Sequence, residues 1–146
     1  MIPLIALVGG FAVLRLLGLL VIDGLDAWQP ALRGALALLF VTTGVPHFVP
    51  SWRRDFVGMI PPALPRPALL VTLTGVLELA GAAGLLVPPL ASLAAACLAL
   101  LMIAMFPANV YAARSGLTLG GKPVTPLPAR TVLQAVFLAA AVAAAV

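Results

Sequence analysis

Residues 68–90 read ALLVTLTGVLELAGAAGLLVPPL. Twenty residues pass with a single charge, Glu78, before the Pro88-Pro89 pair. At 1.5 Å of rise per residue, about 20 apolar residues cross the ~30 Å hydrocarbon core of a bilayer. Ala68 to Val87 is therefore the length of one membrane span. Two prolines remove backbone donors and stop the helix, and another apolar run begins at Leu90 and lasts to Ala113. So short a connection joins antiparallel neighbours, which makes this part of the chain a membrane helical hairpin.

Three further apolar runs flank the hairpin: Ile2 to Ile22 with Arg15 inside it, Ala31 to Val49, and Ala129 to Val146. The whole chain of 146 residues is 64% hydrophobic and 8% charged, against about 25% charged in a soluble domain. A soluble globule is excluded. The expectation is an all-α, polytopic transmembrane bundle of five spans, with a turn at Asp23, Gly24, Asp26 and Pro30 after the first. The first run reads as a retained span. It has no basic segment ahead of it, exceeds the ~7–15 apolar residues of a signal peptide and carries a charge inside. No internal repeat is visible, which argues against an ordinary secondary transporter.

The connections are polar. Pro50 to Pro67 holds Arg53, Arg54, Asp55 and Arg66 among five prolines; its composition predicts extended or turned backbone, with Trp52, Phe56 and Met59 marking a short interfacial segment. Arg114 to Pro128 forms a second loop with Gly116, Gly120, Gly121 and Lys122. Five spans put both loops and the N-terminus on one side, with Arg53, Arg54, Arg66, Arg114, Lys122 and Arg130; the other side has Arg33 with Asp23 and Asp26. By the positive-inside rule the first side is cytoplasmic. The expected placement is a multi-pass protein of the cell membrane, N-terminus cytoplasmic and C-terminus outside. The net charge of +4 is thereby read as loop anchoring, with no nucleic-acid partner. Cys97 is the only cysteine, so no internal disulfide forms, and it reads as a small core residue.

An ionised side chain at the centre of a span costs ~2.5–3.5 kcal/mol, so polar groups inside the spans carry information. Glu78, the only glutamate, lies ~15 Å into its span. Gly75, Glu78, Gly81 and Gly84 recur at helical spacing, giving a small-residue face where a neighbouring helix or a ligand approaches closely. Arg15 lies at a similar depth and is expected to be paired, with Glu78 as the candidate partner. His47, the only histidine, closes the second span in Gly44-Val45-Pro46-His47-Phe48, with Thr43 one turn away and Pro46 kinking the helix end. A lone histidine is not a metal site, and no haem or metal is expected. Asn109 follows Pro107 in the fourth span, on a face shared with Leu98, Met102 and Met105; Arg130 and Gln134 stand at i and i+4 in the fifth. Crossing directions put His47, Asn109, Tyr111, Arg130 and Gln134 in the cytoplasmic third with Glu78 below them. Such a layer suggests a cavity open toward the cytoplasmic interface.

Gly44-Val45-Pro46-His47-Phe48, the Pro61-Pro62 to Pro67 loop, Gly75-Val76-Leu77-Glu78 running to Gly84-Leu85-Leu86, Phe106-Pro107-Ala108-Asn109-Val110-Tyr111, and Pro128-Ala129-Arg130 with Gln134 stand in an order and spacing that resemble the DoxX-like membrane proteins. The resemblance covers Ala31 to Val146. It implies a four-helix membrane bundle over residues 31–146, with residues 1–30 as an N-terminal membrane helix and turn, and carries His47, Glu78, Asn109, Arg130 and Gln134 over as the family's characteristic polar positions. Arg15, Gly75, Gly81, Gly84 and Pro107 are expected to serve structure. The span Ile2 to Ile22 is a departure from that pattern. The family is named for components of a quinone-linked sulfur oxidoreductase, and other relatives resemble assembly partners or chaperones. Two expectations follow. One is a redox-associated subunit, at most part of a quinone-linked oxidoreductase, whose intramembrane pocket holds a quinone or similar lipophilic carrier near Glu78 and His47. The other is a non-catalytic partner that packs against another membrane protein, or a second copy of itself, through its small-residue face. No cysteine cluster, haem ligand set or dinucleotide fingerprint is present, so electrons would come from a redox partner.

Overall fold

The computed structural model describes residues 2–22 and 27–146; Asp23, Gly24 and Asp26, assigned above to the first turn, lie outside the described residues. Six α-helices follow in order: α1 (Ile2–Leu20), α2 (Trp28–Gly44), α3 (Pro50–Met59), α4 (Pro67–Leu85), α5 (Ala91–Arg114) and α6 (Leu127–Ala145). Among the described residues, five are long and apolar enough to cross a membrane, namely all but the ten-residue α3. Large apolar side chains such as Leu69, Leu93, Leu100 and Val132 are more than half exposed, as expected where the medium outside is hydrocarbon. The chain is an all-α, multi-pass membrane protein.

The helices α2, α4, α5 and α6 close a four-membered ring, each touching the next and α6 returning to α2, while α1 packs on the outside of α2. Lipid tails are as apolar as leucine, so small residues and tight packing hold such helices together. The α1 and α2 backbones approach at Gly34, where a Cβ would stand 2.6 Å from Leu14 Cδ1. Ala31, Ala35, Ala95 and Ala141 are fully buried around Leu36 and Leu98. At the end of the bundle opposite the two polar loops, Arg33 Nε donates to the Ala144 carbonyl of α6 at 3.0 Å, and its Nη2 donates to Ser92 Oγ of α5 at 3.3 Å. A cation thus meets the last turn of α6, where the helix dipole is negative.

The expected proline signals act at the ends of elements. Pro46 sits at the start of a 3₁₀ turn, Val45–Phe48, that tightens the end of α2. Pro88–Leu90 forms another 3₁₀ turn in the hairpin between α4 and α5. The Pro50 to Pro67 segment is not extended throughout. Pro50 occupies the first position of α3, where its missing N–H is no loss, and irregular backbone is confined to the prolines after Met59. The second loop contains a two-residue hairpin, β1 (Thr118–Leu119) against β2 (Lys122–Pro123), turned by Gly120 and Gly121, both at positive φ. Cys97 is not in the core: it is exposed on the outer surface of α5.

Candidate functional site

The polar residues of the spans gather in two clusters. The first joins α2, α3 and α4. Glu78 and His47 are 3% and 4% exposed, the buried polar pair of the described residues. Thr43 Oγ1 donates to Glu78 Oε2 at 2.5 Å, and His47 Nε2 stands 3.9 Å from Glu78 Oε1. The 3₁₀ turn swings His47 beneath its own helix, so that Nδ1 donates to the Thr43 carbonyl at 3.0 Å. The Phe56 ring of α3 stacks on the imidazole, centroids 4.5 Å apart and planes 13° from parallel.

Two glycines bring these groups together. A Cβ on Gly75 would stand 2.6 Å from His47 Cβ, and one on Gly44 would stand 3.2 Å from Glu78 Cβ. Arg53 of α3 locks the cluster from the loop side. Its Nη1 donates to the His47 carbonyl at 3.1 Å, and its Nη2 donates to the Ala68 carbonyl at 2.9 Å and to Thr72 Oγ1 at 2.8 Å. A hydrogen bond from Gly120 N to Asp55 Oδ2, 2.7 Å, ties the β hairpin onto the same helix. Both polar loops are therefore at one end of the bundle.

The second cluster joins α5 and α6. Arg130 Nη1 donates to Asn109 Oδ1, Arg130 Nε donates to the Thr125 carbonyl at 2.9 Å, and Gln134 Nε2 donates to the Met102 carbonyl at 2.8 Å. Pro107 lies between those two contacts on α5 and deprives the Ile103 carbonyl of its usual helical donor.

The five predicted ligand positions thus fall into a pair, His47 with Glu78, and a trio, Asn109, Arg130 and Gln134. The glycine row also divides: Gly75 meets His47 on the α2 side, whereas Gly81 and Gly84 meet Leu98 and Ala94 of α5. Arg15 is half-buried on α1, and the partners of Glu78 are Thr43 and His47. The expected Arg15–Glu78 pair is not formed, because α1 packs on α2, and it is α2 that covers Glu78. Thr43 stands four residues before His47, a spacing that marks those two as neighbours but does not mark Thr43 as the partner of Glu78. Nothing in the local sequence marks Arg53, one of the loop bases, or Phe56, expected at the interface, as a neighbour of His47.

Among the described residues no fully buried side-chain nitrogen or oxygen is left without a partner, counting the 3.9 Å approach of His47 Nε2 to Glu78 Oε1. No group of three or more His, Cys, Asp and Glu among them is placed to hold a metal ion. A groove of about 520 Å³ runs along the outside of α4 and α5, lined by residues including Leu77, Gly81, Gly84, Ala94 and Cys97. A second, about 370 Å³, lies along α5 and α6 at Ile103, Leu138 and Val142. Both are apolar, and neither reaches the polar clusters.

Comparison with curated proteins and with solved structures gives no match. A family model described as a domain of unknown function (DUF8561) matches residues 36–145, from the middle of α2 to the end of α6, taking in both polar clusters and leaving α1 outside, and the chain belongs to that family.

Proposed function

We propose that the protein is a DoxX-like, redox-associated subunit of the cell membrane that serves a quinone or similar lipophilic carrier, with His47 and Glu78 as its proton-handling pair. The observation that carries this reading is an acid and a base, both more than nine-tenths buried, 3.9 Å apart inside a membrane bundle. Burial of this kind is costly and is common where protons are moved. A quinone supplies two-electron chemistry at its ring oxygens, and each oxygen takes a proton on reduction. A carboxyl group and an imidazole suit that exchange. The electrons belong to a partner protein. The N-terminus and both loops face the cytoplasm in this reading, following the basic residues.

Mass spectrometry of an organic extract of the purified chain tests it. The parent is expected to retain a quinone near stoichiometric amount, and Glu78→Gln to retain at least tenfold less at an unchanged melting temperature. A folded parent, purified from a quinone-containing membrane, that carries none overturns the reading.

The grooved outer face of α4 and α5 favours a second reading. Gly81 and Gly84 allow a foreign helix close approach there, as an assembly partner or chaperone needs. A stoichiometric membrane protein co-purifying with quinone-free chain supports that alternative.

A further inference from the structure

We propose that His47 and Glu78 share one proton beyond the Nδ1 hydrogen of the imidazole, that at rest it sits on Glu78, and that His47 is the relay through which Glu78 exchanges it with the interface beneath α3. This rests on the reading above only for the use to which the proton is put.

A carbonyl oxygen accepts and never donates, so His47 Nδ1, 3.0 Å from the Thr43 carbonyl, bears a hydrogen. In a neutral ring Nε2 then presents a lone pair. That lone pair faces Glu78 Oε1 at 3.9 Å. Two bare acceptors facing each other repel; one proton on either makes it a donor toward the other. The imidazolium–carboxylate form is the poorer of the two, because it places two full charges within the spans where the neutral pair places none. The Thr43 hydroxyl reaches Oε2 and also the Leu39 and Phe40 carbonyls, and Oε1 is the carboxyl oxygen that faces Nε2 and hands the proton across.

The surroundings offer few competitors. From α3 come Phe56, stacked on the ring, and Arg53, the charged neighbour, committed to the His47 and Ala68 carbonyls and Thr72. From α4, the hydroxyls of Thr72 and Thr74 donate to carbonyls of their own helix. From α2 there is Thr43 alone. In the transfer, the Oε1–H bond breaks and its electron pair stays on Glu78, while Nε2 gains the proton, giving carboxylate and imidazolium. The imidazolium then releases the same proton to water on the α3 side of the ring. The gap exceeds the ~2.6–3.2 Å of a direct transfer and is closed by side-chain rotation or one water.

Infrared spectroscopy of the quinone-free chain in lipid, moved from H₂O to D₂O, tests this. The parent is expected to show a protonated-carboxyl C=O band that Glu78→Gln removes. His47→Gln is expected to keep the band and slow its deuterium shift at least tenfold. Nitrogen-15 NMR of the single histidine is expected to report a neutral ring protonated at Nδ1. A histidine protonated on both nitrogens, or a parent without the band, overturns the resting state; an unslowed shift in His47→Gln overturns the relay. If that variant does not fold, Phe56→Leu, which uncovers the ring and keeps it, is expected to speed the shift, and an unchanged rate overturns the relay equally. Because no quinone is present, failure here leaves the carrier reading standing, and an empty extract leaves the proton result standing.

Discussion

Position 75 admits no side chain without displacing the imidazole, since a Cβ there would stand 2.6 Å from His47 Cβ and 2.9 Å from the Phe48 ring. Overpacking of this kind costs about 1–3 kcal/mol. Gly75→Ala is therefore expected to lower the melting temperature in detergent and to shift the histidine NMR signal together with it. Gly58 is the control: on α3, a Cβ meets nothing within 4 Å, so Gly58→Ala is expected to raise stability by about 0.5–1 kcal/mol through helix propensity, with the histidine signal unmoved. At this scale much was legible. Glu78 and His47 stand out in the sequence as the sole members of their kinds inside apolar runs, and the glycine spacing announced close approach. What the spacing does not carry is rotation about the helix axis, and so it gave no hint that Gly75 and Gly81 serve different neighbours or that Glu78 turns toward Thr43 instead of Arg15.

The short helix α3 is held by side chains alone, Arg53 at the first turn of α4 and Asp55 at the Gly120 amide, with Trp52 lying over that glycine. Arg53→Met removes three hydrogen bonds and is expected to raise amide hydrogen exchange across α3 at least tenfold, with α4 and α5 little changed. Asp55→Ala removes one exposed bond and is expected to raise it only a few-fold. Equal protection in parent and Arg53→Met would show that the Phe56 stack suffices to hold the element. The proline-rich composition of this region concealed the helix, because four of its five prolines lie after Met59 while Pro50 starts the helix. The five long elements were legible by contrast: apolar length against bilayer thickness is a strong constraint. Cys97 shows its limit, since a span that is apolar all round does not reveal which side faces the lipid.

Over the whole molecule, the two polar loops meet through α3 and the hairpin, and Arg33 sits with the last turn of α6 at the far end. In a Cys97→Ala background, Ser51→Cys and Ser115→Cys are expected to react with an impermeant reagent from the cytoplasmic side and Val146→Cys from the other. Reaction of Val146→Cys from the cytoplasmic side would refute five crossings, and a uniform reversal would refute only the orientation. Five crossings follow from run lengths and short connections, whereas the closing of α2, α4, α5 and α6 into a ring with α1 outside it has no signal in the order of the runs. The bond from Gly120 to Asp55 spans 65 positions of chain, which has a consequence in time. A ribosome releasing the chain from its N-terminus makes His47 and Glu78 neighbours as soon as the α4–α5 hairpin is inserted, yet the latch over them is not synthesised until α5 is complete. A nascent chain stalled within α5 would hold its acid and base under α3 clamped by Arg53 and Phe56 but not yet by the hairpin, and the last bond of the cover is among the late events of biosynthesis.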